Sequence, residues 1–132
     1  MLNPAEPAHV LIVEDETFIA LMLQQELENL GFSVRDIATT DAGAQACLSQ
    51  YTPDLVILDY NLGRETSHGI ARQLNDLNVP YILCTAAERD AAKNPNVVPV
   101  GILSKPIDFA LLKNLVARAV AAKVAASPAQ AA

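Results

Sequence analysis

Residues 9–13, 55–58 and 81–84 are nearly unbroken runs of apolar side chains, and a fourth run, 98–103, is interrupted only by Pro99 and Gly101. A strand with one wet face alternates apolar and polar residues. Runs without that alternation suit strands covered on both faces, as in a parallel sheet enclosed by helices. A fifth segment, 33–38, carries Arg35 and Asp36 in its middle. Charges in that position fit an edge strand, which they protect from pairing with other chains.

Helical patterns separate these runs. Over residues 17–30, Ile19, Met22, Leu23, Leu27 and Leu30 recur at helical spacing before Gly31 supplies a stop. Thr40 or Asp41 can cap a helix running to about Tyr51, Ser67 or His68 can start one ending near Asp76, and Asp108 can cap a last one through about Ala122. A fourth helix after Thr85 has the weakest pattern, since Asn94, Pro95 and Asn96 break it early. Strand and helix thus alternate five times, which implies right-handed crossovers and an α/β fold: a flavodoxin-like, doubly wound (βα)5 with a five-stranded parallel sheet in the order 2-1-3-4-5. Residues 1–8 are expected as an N-terminal extension, 9–122 as one domain and 123–132 as a flexible tail.

At 132 residues a second core would leave each half too small to bury enough apolar surface. A net charge of -6 argues against a sequence-independent grip on nucleic acid, because Lys113, Arg118 and Lys123 are spread along one helix. Cys47 and Cys84 sit inside apolar patterns and read as small hydrophobes of a reducing compartment. The first residues lack the basic start and apolar stretch of a signal peptide, and no uncharged run approaches the ~20 residues of a membrane helix. A soluble, cytoplasmic protein is the expectation.

In sheets of this kind ligands bind beyond the carboxyl ends of the strands, at the switch point between the first and third. There the sequence places Glu14-Asp15-Glu16 after the first strand and Asp59 after the third. Two carboxylates ~4 Å apart repel by about 4 kcal/mol at an effective dielectric of ~20, so a bare cluster takes up protons or recruits a cation. An all-oxygen set without His or Cys favours a hard ion, and few carboxylates with open positions suit Mg²⁺ better than Ca²⁺. The plainer alternative is that the acidic trio only charges the amino end of the first helix. Thr85 and Lys105 end the fourth and fifth strands. A carboxylate nucleophile, a metal, a hydroxyl and an ammonium together are the equipment of phosphoryl transfer.

With Glu14-Asp15, Asp59, Thr85 and Lys105-Pro106 at separate strand ends, the chain resembles the receiver domain of two-component response regulators over about 9–122. The resemblance implies that Asp59 accepts a phosphoryl group. It implies that Asp15, Asp59 and the Asn61 carbonyl hold Mg²⁺ with Glu14 nearby through water, that Thr85 and Lys105 contact the phosphoryl oxygens, and that Lys105-Pro106 is cis. Implied partners are a histidine kinase or histidine phosphotransfer protein, and a downstream protein on the face of the fourth helix, fifth strand and fifth helix, with Phe109 and Leu111 partly outward. A monomer or a weak phosphorylation-linked dimer is expected, with no conventional enzyme activity.

Two residues depart from the family pattern. Glu14 replaces the usual Asp, and Ile102 stands where most receivers carry a switching aromatic, which shifts the expected rearrangement to 86–96. Asp59-Tyr60-Asn61-Leu62-Gly63 with Glu65, and Pro80-Tyr81, further resemble stand-alone alphaproteobacterial receivers that work with HWE-type kinases, although Leu83, Ala86 and Ala87 depart from that subgroup. A haloacid-dehalogenase-type phosphatase needs an acid where Asn61 stands, and a nucleotide module needs a phosphate loop where the acidic trio would repel phosphate. A phosphorylation-independent pseudo-receiver is the remaining alternative.

Overall fold

The computed structural model describes residues 8–86 and 97–126. Its main sheet has five parallel strands, β1 (His9–Val13), β2 (Ser33–Ala38), β3 (Leu55–Asp59), β6 (Tyr81–Thr85) and β7 (Gly101–Ser104), in the order β2-β1-β3-β6-β7. Counted along this sheet alone, that is the expected 2-1-3-4-5. A small hairpin, β4 (Asn61–Leu62) and β5 (Glu65–Thr66), interrupts the path from β3 to the next helix. The helices are α1 (Thr17–Asn29), α2 (Asp41–Gln50), α3 (His68–Asp76) and α4 (Phe109–Ala126). The expected fourth helix, and the rearranging segment assigned to it, lie outside the described residues apart from Ala86. No helix among the described residues is long and apolar enough to cross a membrane.

Successive side chains of a strand point to opposite faces, and both faces here are covered. Leu11, Val13, Val56, Leu58, Tyr81 and Leu83 join α2 and α3 through Ala44, Leu48, Ile70, Ala71 and Leu74 in one apolar layer. Val10, Ile12, Leu55, Ile57, Ile82 and Cys84 join α1 and α4 through Leu23, Leu27, Leu112, Leu115 and Val116 in the other. That division is why the central strands read as continuous apolar runs. The edge strand β2 is only partly covered; its Arg35 guanidinium lies 4.0 Å over the Tyr51 ring, an arrangement that keeps the charge wet while covering an apolar face.

Thr40 caps α2 as expected, its hydroxyl accepting from the Gly43 N–H at 3.0 Å, and the Asp108 carboxylate does the same for α4. Gly31, at φ 94°, closes α1 in the left-handed region. Other expectations shift. The buried stripe of α1 is Ala20, Leu23 and Leu27, while Met22 faces outward. The last strand begins at Gly101 rather than residue 98, because Pro99 has no N–H for a ladder and Val98 N–H is taken by the Tyr81 hydroxyl at 2.6 Å. Helix α4 continues to Ala126, past the expected end at 122, on alanines of high helix propensity. Both cysteines are free; Cys84 is buried and Cys47 half-buried.

Gly101 lies directly against the Leu115 side chain of α4. A Cβ there would collide with the Leu115 side chain, whose Cδ1 would lie at 2.9 Å. Gly101→Ala is therefore expected to lower unfolding free energy in urea by about 1–3 kcal/mol, the usual range for overpacking. The Gly101→Ala/Leu115→Ala double variant should lose less than the sum of its single changes, since removing the Leu115 methyls removes the collision.

Candidate functional site

Strands β1 and β3 are neighbours, and from their ends the chain departs to opposite faces of the sheet: β1 leads to α1, β3 leads through the hairpin to α3. Val13, the last residue of β1 in register, lies opposite Leu58. Glu14 and Asp15 therefore leave the sheet at the level of Asp59. The apolar layers hold these ends together and bury what they carry: Glu14 is 1% exposed and Asp59 3%. Asp15 faces outward. One oxygen from each of the three carboxylates fits within a group no more than 4.8 Å across.

The neighbouring strands supply the rest. Thr85, at the end of β6, is buried and in register with Ser104. The next residue, Lys105, donates its backbone N–H to the Thr85 carbonyl at 3.0 Å, and its peptide bond to Pro106 is cis. Its ammonium donates to Glu14 Oε1 at 3.0 Å and to Asp59 Oδ2 at 3.1 Å. Lys105 thus spans two carboxylates that the apolar packing forces out of water.

Main-chain donors orient the remaining carboxylate oxygens. The Glu16 N–H donates to Glu14 Oε2 at 3.1 Å, so Glu14 turns to the site, and Glu16 occupies the α1 N-cap position without a side-chain cap bond. The trio is therefore not a simple capping group. Asn61 N–H donates to Asp59 Oδ1 at 3.3 Å, and Gly63 N–H donates to Asp15 Oδ2 at 3.0 Å. Gly63 has φ 63°, which lets the hairpin tip turn its N–H toward Asp15. At the hairpin's base, the buried Ser67 hydroxyl donates to the Asp59 carbonyl at 2.6 Å. Ser67 stands at the N-cap position of α3 and His68 begins the helix, as expected, but the Ser67 side chain makes no cap bond to α3.

Charge follows burial. Loss of hydration pushes the Asp59 carboxyl up to about 7, Glu14 adds to the rise, and Lys105 opposes it. For Asp15 partial burial acts upward, but hydrogen bonds with Glu14, Asp59 and the backbone N–H groups of Asp15 and Gly63 outweigh it and hold the carboxyl below its ordinary value. Burial lowers the affinity of Lys105 for its proton, yet the bonds to Glu14 and Asp59 prevail and hold it above the ordinary value. With all groups ionised, three carboxylates and one ammonium leave two negative charges uncompensated. A divalent hard cation fits that all-oxygen set, of which Asp15 is the exposed member.

The structure brings Glu14, Asp15, Asp59 and Lys105 together; Asn61 follows Asp59 by two residues, and the Thr85 carbonyl accepts the Lys105 N–H. Four features were missed: the second partner of Lys105, Gly63, Ser67, and the His68 Nε2 to Tyr60 hydroxyl contact at 2.6 Å just beyond Asp59. A small polar residue before a helix reads as a cap, and nothing in its neighbours signals that the hydroxyl of Ser67 points back to β3.

A family model for the response regulator receiver domain matches residues 10–117. The chain is 32% identical over 126 residues to the protein Rrf1 of Nitratidesulfovibrio vulgaris, covering 92% of this chain and 89% of that one. It is 30% identical over 120 residues to the probable transcriptional regulator ycf29 of Porphyra purpurea, covering 83% and 57%. The crystal structure of the anti-anti-sigma factor PhyR from Bartonella quintana superposes with a TM-score of 0.81 at 29% identity, over 93% of this chain and 51% of that one. Across the first transcriptional regulators it matches, the chain spans 57%, 32% and 48% of their length.

The raised Asp59 carboxyl gives a pH dependence with a definite sign. Its folded value lies above the ordinary value of 3.8, so the native state holds the proton more tightly than the unfolded one. The resulting stability is full below about 4 and is lost as pH rises through about 7, up to about 4 kcal/mol by linkage. In chelator, Asp59→Asn should equal wild type in urea near pH 4 and exceed it increasingly toward pH 8. A margin that stays constant over that range contradicts the assignment.

Proposed function

The chain belongs to the response regulator receiver family, and from that premise we propose that Asp59 is its phosphoacceptor, in a Mg²⁺-dependent reaction. The observation that carries this reading is the Lys105 ammonium at 3.1 Å from the buried Asp59 carboxylate, beside Glu14 and Asp15. Receiver activity is limited to the domain's own phosphorylation and dephosphorylation, so this is not a conventional enzyme.

An Asp59 oxygen attacks the donor phosphorus; the phosphorus–nitrogen bond of a phosphohistidine breaks, and the imidazole leaves with the electron pair. Lys105, already aimed at Asp59, moves from carboxylate to phosphoryl oxygen as negative charge shifts there. The Thr85 hydroxyl supplies a further donor to the same group. Glu14, Asp15, Asp59 and the Asn61 carbonyl would hold Mg²⁺, which when bound offsets the charge that carboxylates and phosphoryl group bring together.

The donor in this reading is a histidine kinase or histidine phosphotransfer protein, and output passes to a protein partner or onward in a relay. For the downstream partner we infer the face that includes β7 and α4, where Leu111 is 40% exposed and Phe109 half-buried. Ile102, half-buried against the α2–α3 layer, replaces the usual aromatic of that face. Stiff at χ1, it lacks the reach to carry a large rotamer swing.

Incubation with Mg²⁺ and acetyl phosphate should add one phosphoryl group by intact mass, and Asp59→Asn should add none. Equal uptake by Asp59→Asn removes Asp59 from its role; no uptake by folded wild type favours a phosphorylation-independent binding module. Mg²⁺ at 100-fold its Kd should stabilise the fold by about 2.7 kcal/mol, because it binds the native state alone. Asp15→Asn should lose most of that gain in thermal melts.

A further inference from the structure

We infer that Ser67 is a positioning residue for phosphoryl transfer: its buried hydroxyl locks the 59–67 turn, which aims the two carboxylates Asp59 and Asp15. The inference rests on the phosphoacceptor reading of Asp59 and deepens it.

Strand β1 offers no residue in register with Asp59, since its last partner across β3 is Leu58. The Asp59 carbonyl thus lies past the β1–β3 ladder and takes its hydrogen bond from Ser67 instead, at 2.6 Å. The same hydroxyl oxygen lies 3.1 Å from the Tyr60 carbonyl, but it has one proton, and the Tyr60 carbonyl already accepts the Ser67 N–H at 2.9 Å. The hydroxyl is therefore committed to Asp59. It forgoes the cap bond that a serine before a helix ordinarily makes. At 1% exposure the hydroxyl lies out of contact with bulk water.

What the lock closes is a short circuit of main-chain donors. Ser67 ties the far end of the hairpin back to residues 59 and 60, while Asn61 pairs with Thr66 and Leu62 with Glu65. Between these ends, Asn61 N–H holds Asp59 Oδ1 and Gly63 N–H holds Asp15 Oδ2. Opening the base leaves the Asp59 carbonyl without a partner and frees the two amides that fix the carboxylate angles. A nucleophile so freed keeps its chemistry and loses its alignment.

The test uses the whole chain with acetyl phosphate at saturating Mg²⁺. In this reaction an Asp59 oxygen forms the new P–O bond, the P–O bond to acetate breaks, and acetate leaves with the electron pair. Ser67→Ala should slow phosphorylation about tenfold or more, the scale on which small misalignments of reacting groups cost rate. Ser67→Thr, which keeps the hydroxyl, should stay within about threefold of wild type. Ser67→Cys, close in volume but a poor donor, should behave like Ala and serves where the Ala variant is too unstable. Without metal or donor, the amide resonances of Asn61 and Gly63 should move in Ala and Cys and return in Thr. Ile70→Val, buried in the next turn of α3, controls for lost stability and should leave the rate unchanged. Ala and Cys rates within twofold of wild type, unmoved amides, or an equal slowing by Ile70→Val overturn the role of Ser67 while the phosphoacceptor reading stands. A wild type that takes no phosphate overturns both.

Discussion

One ammonium group, that of Lys105, sits between two carboxylates that the sheet has pulled out of water. Glu14 and Asp59 are buried because Glu14 lies one step beyond β1 and Asp59 ends β3, two strands covered by helices on both faces. Burial of unpaired carboxylates is costly, and a pair of them more so. Lys105 makes the arrangement tolerable. Its position depends in turn on β7, whose register against β6 sets Ser104 opposite Thr85 and delivers the next residue to the site. The close contact of Gly101 with Leu115 keeps that strand under α4.

The compensation is incomplete, and function follows from the deficit. Burial raises Asp59 and Glu14 adds to the rise, while one ammonium against three carboxylates leaves the site short of positive charge, which suits a divalent cation. Lys105 shares its one charge between Glu14 and Asp59. A site neutralised fully by fixed side chains would have less to gain from a metal.

Orientation is a separate matter from charge. Ionised oxygens accept hydrogen bonds in several directions, and the ammonium alone does not fix them. Backbone N–H groups, tied to the chain, do. The structure uses three, from Glu16, Asn61 and Gly63, each lying just beyond the main sheet rather than within it. The small hairpin after β3 is accordingly part of the site, although it has little core of its own.

Much of this was legible in the sequence, because periodicity and strand-end chemistry are local. Two-sided apolar runs specified a parallel sheet, the charges of Arg35 and Asp36 placed β2 at its edge, and Glu14, Asp15, Asp59, Thr85 and Lys105 each stood at the end of a run. Local pattern also misled: Met22 fits a helical stripe yet faces outward, and residues 98–100 read as strand although Pro99 cannot join a ladder. What only the tertiary structure decided were choices of partner. Lys105 reaches Glu14 from 91 residues away, Gly63 reaches Asp15 from 48, and Ser67 turns from its own helix to the carbonyl of Asp59. A hydrogen bond depends on distances of a few tenths of an ångström and on direction, and these are set by how helices and strands pack, which no single stretch of the chain encodes.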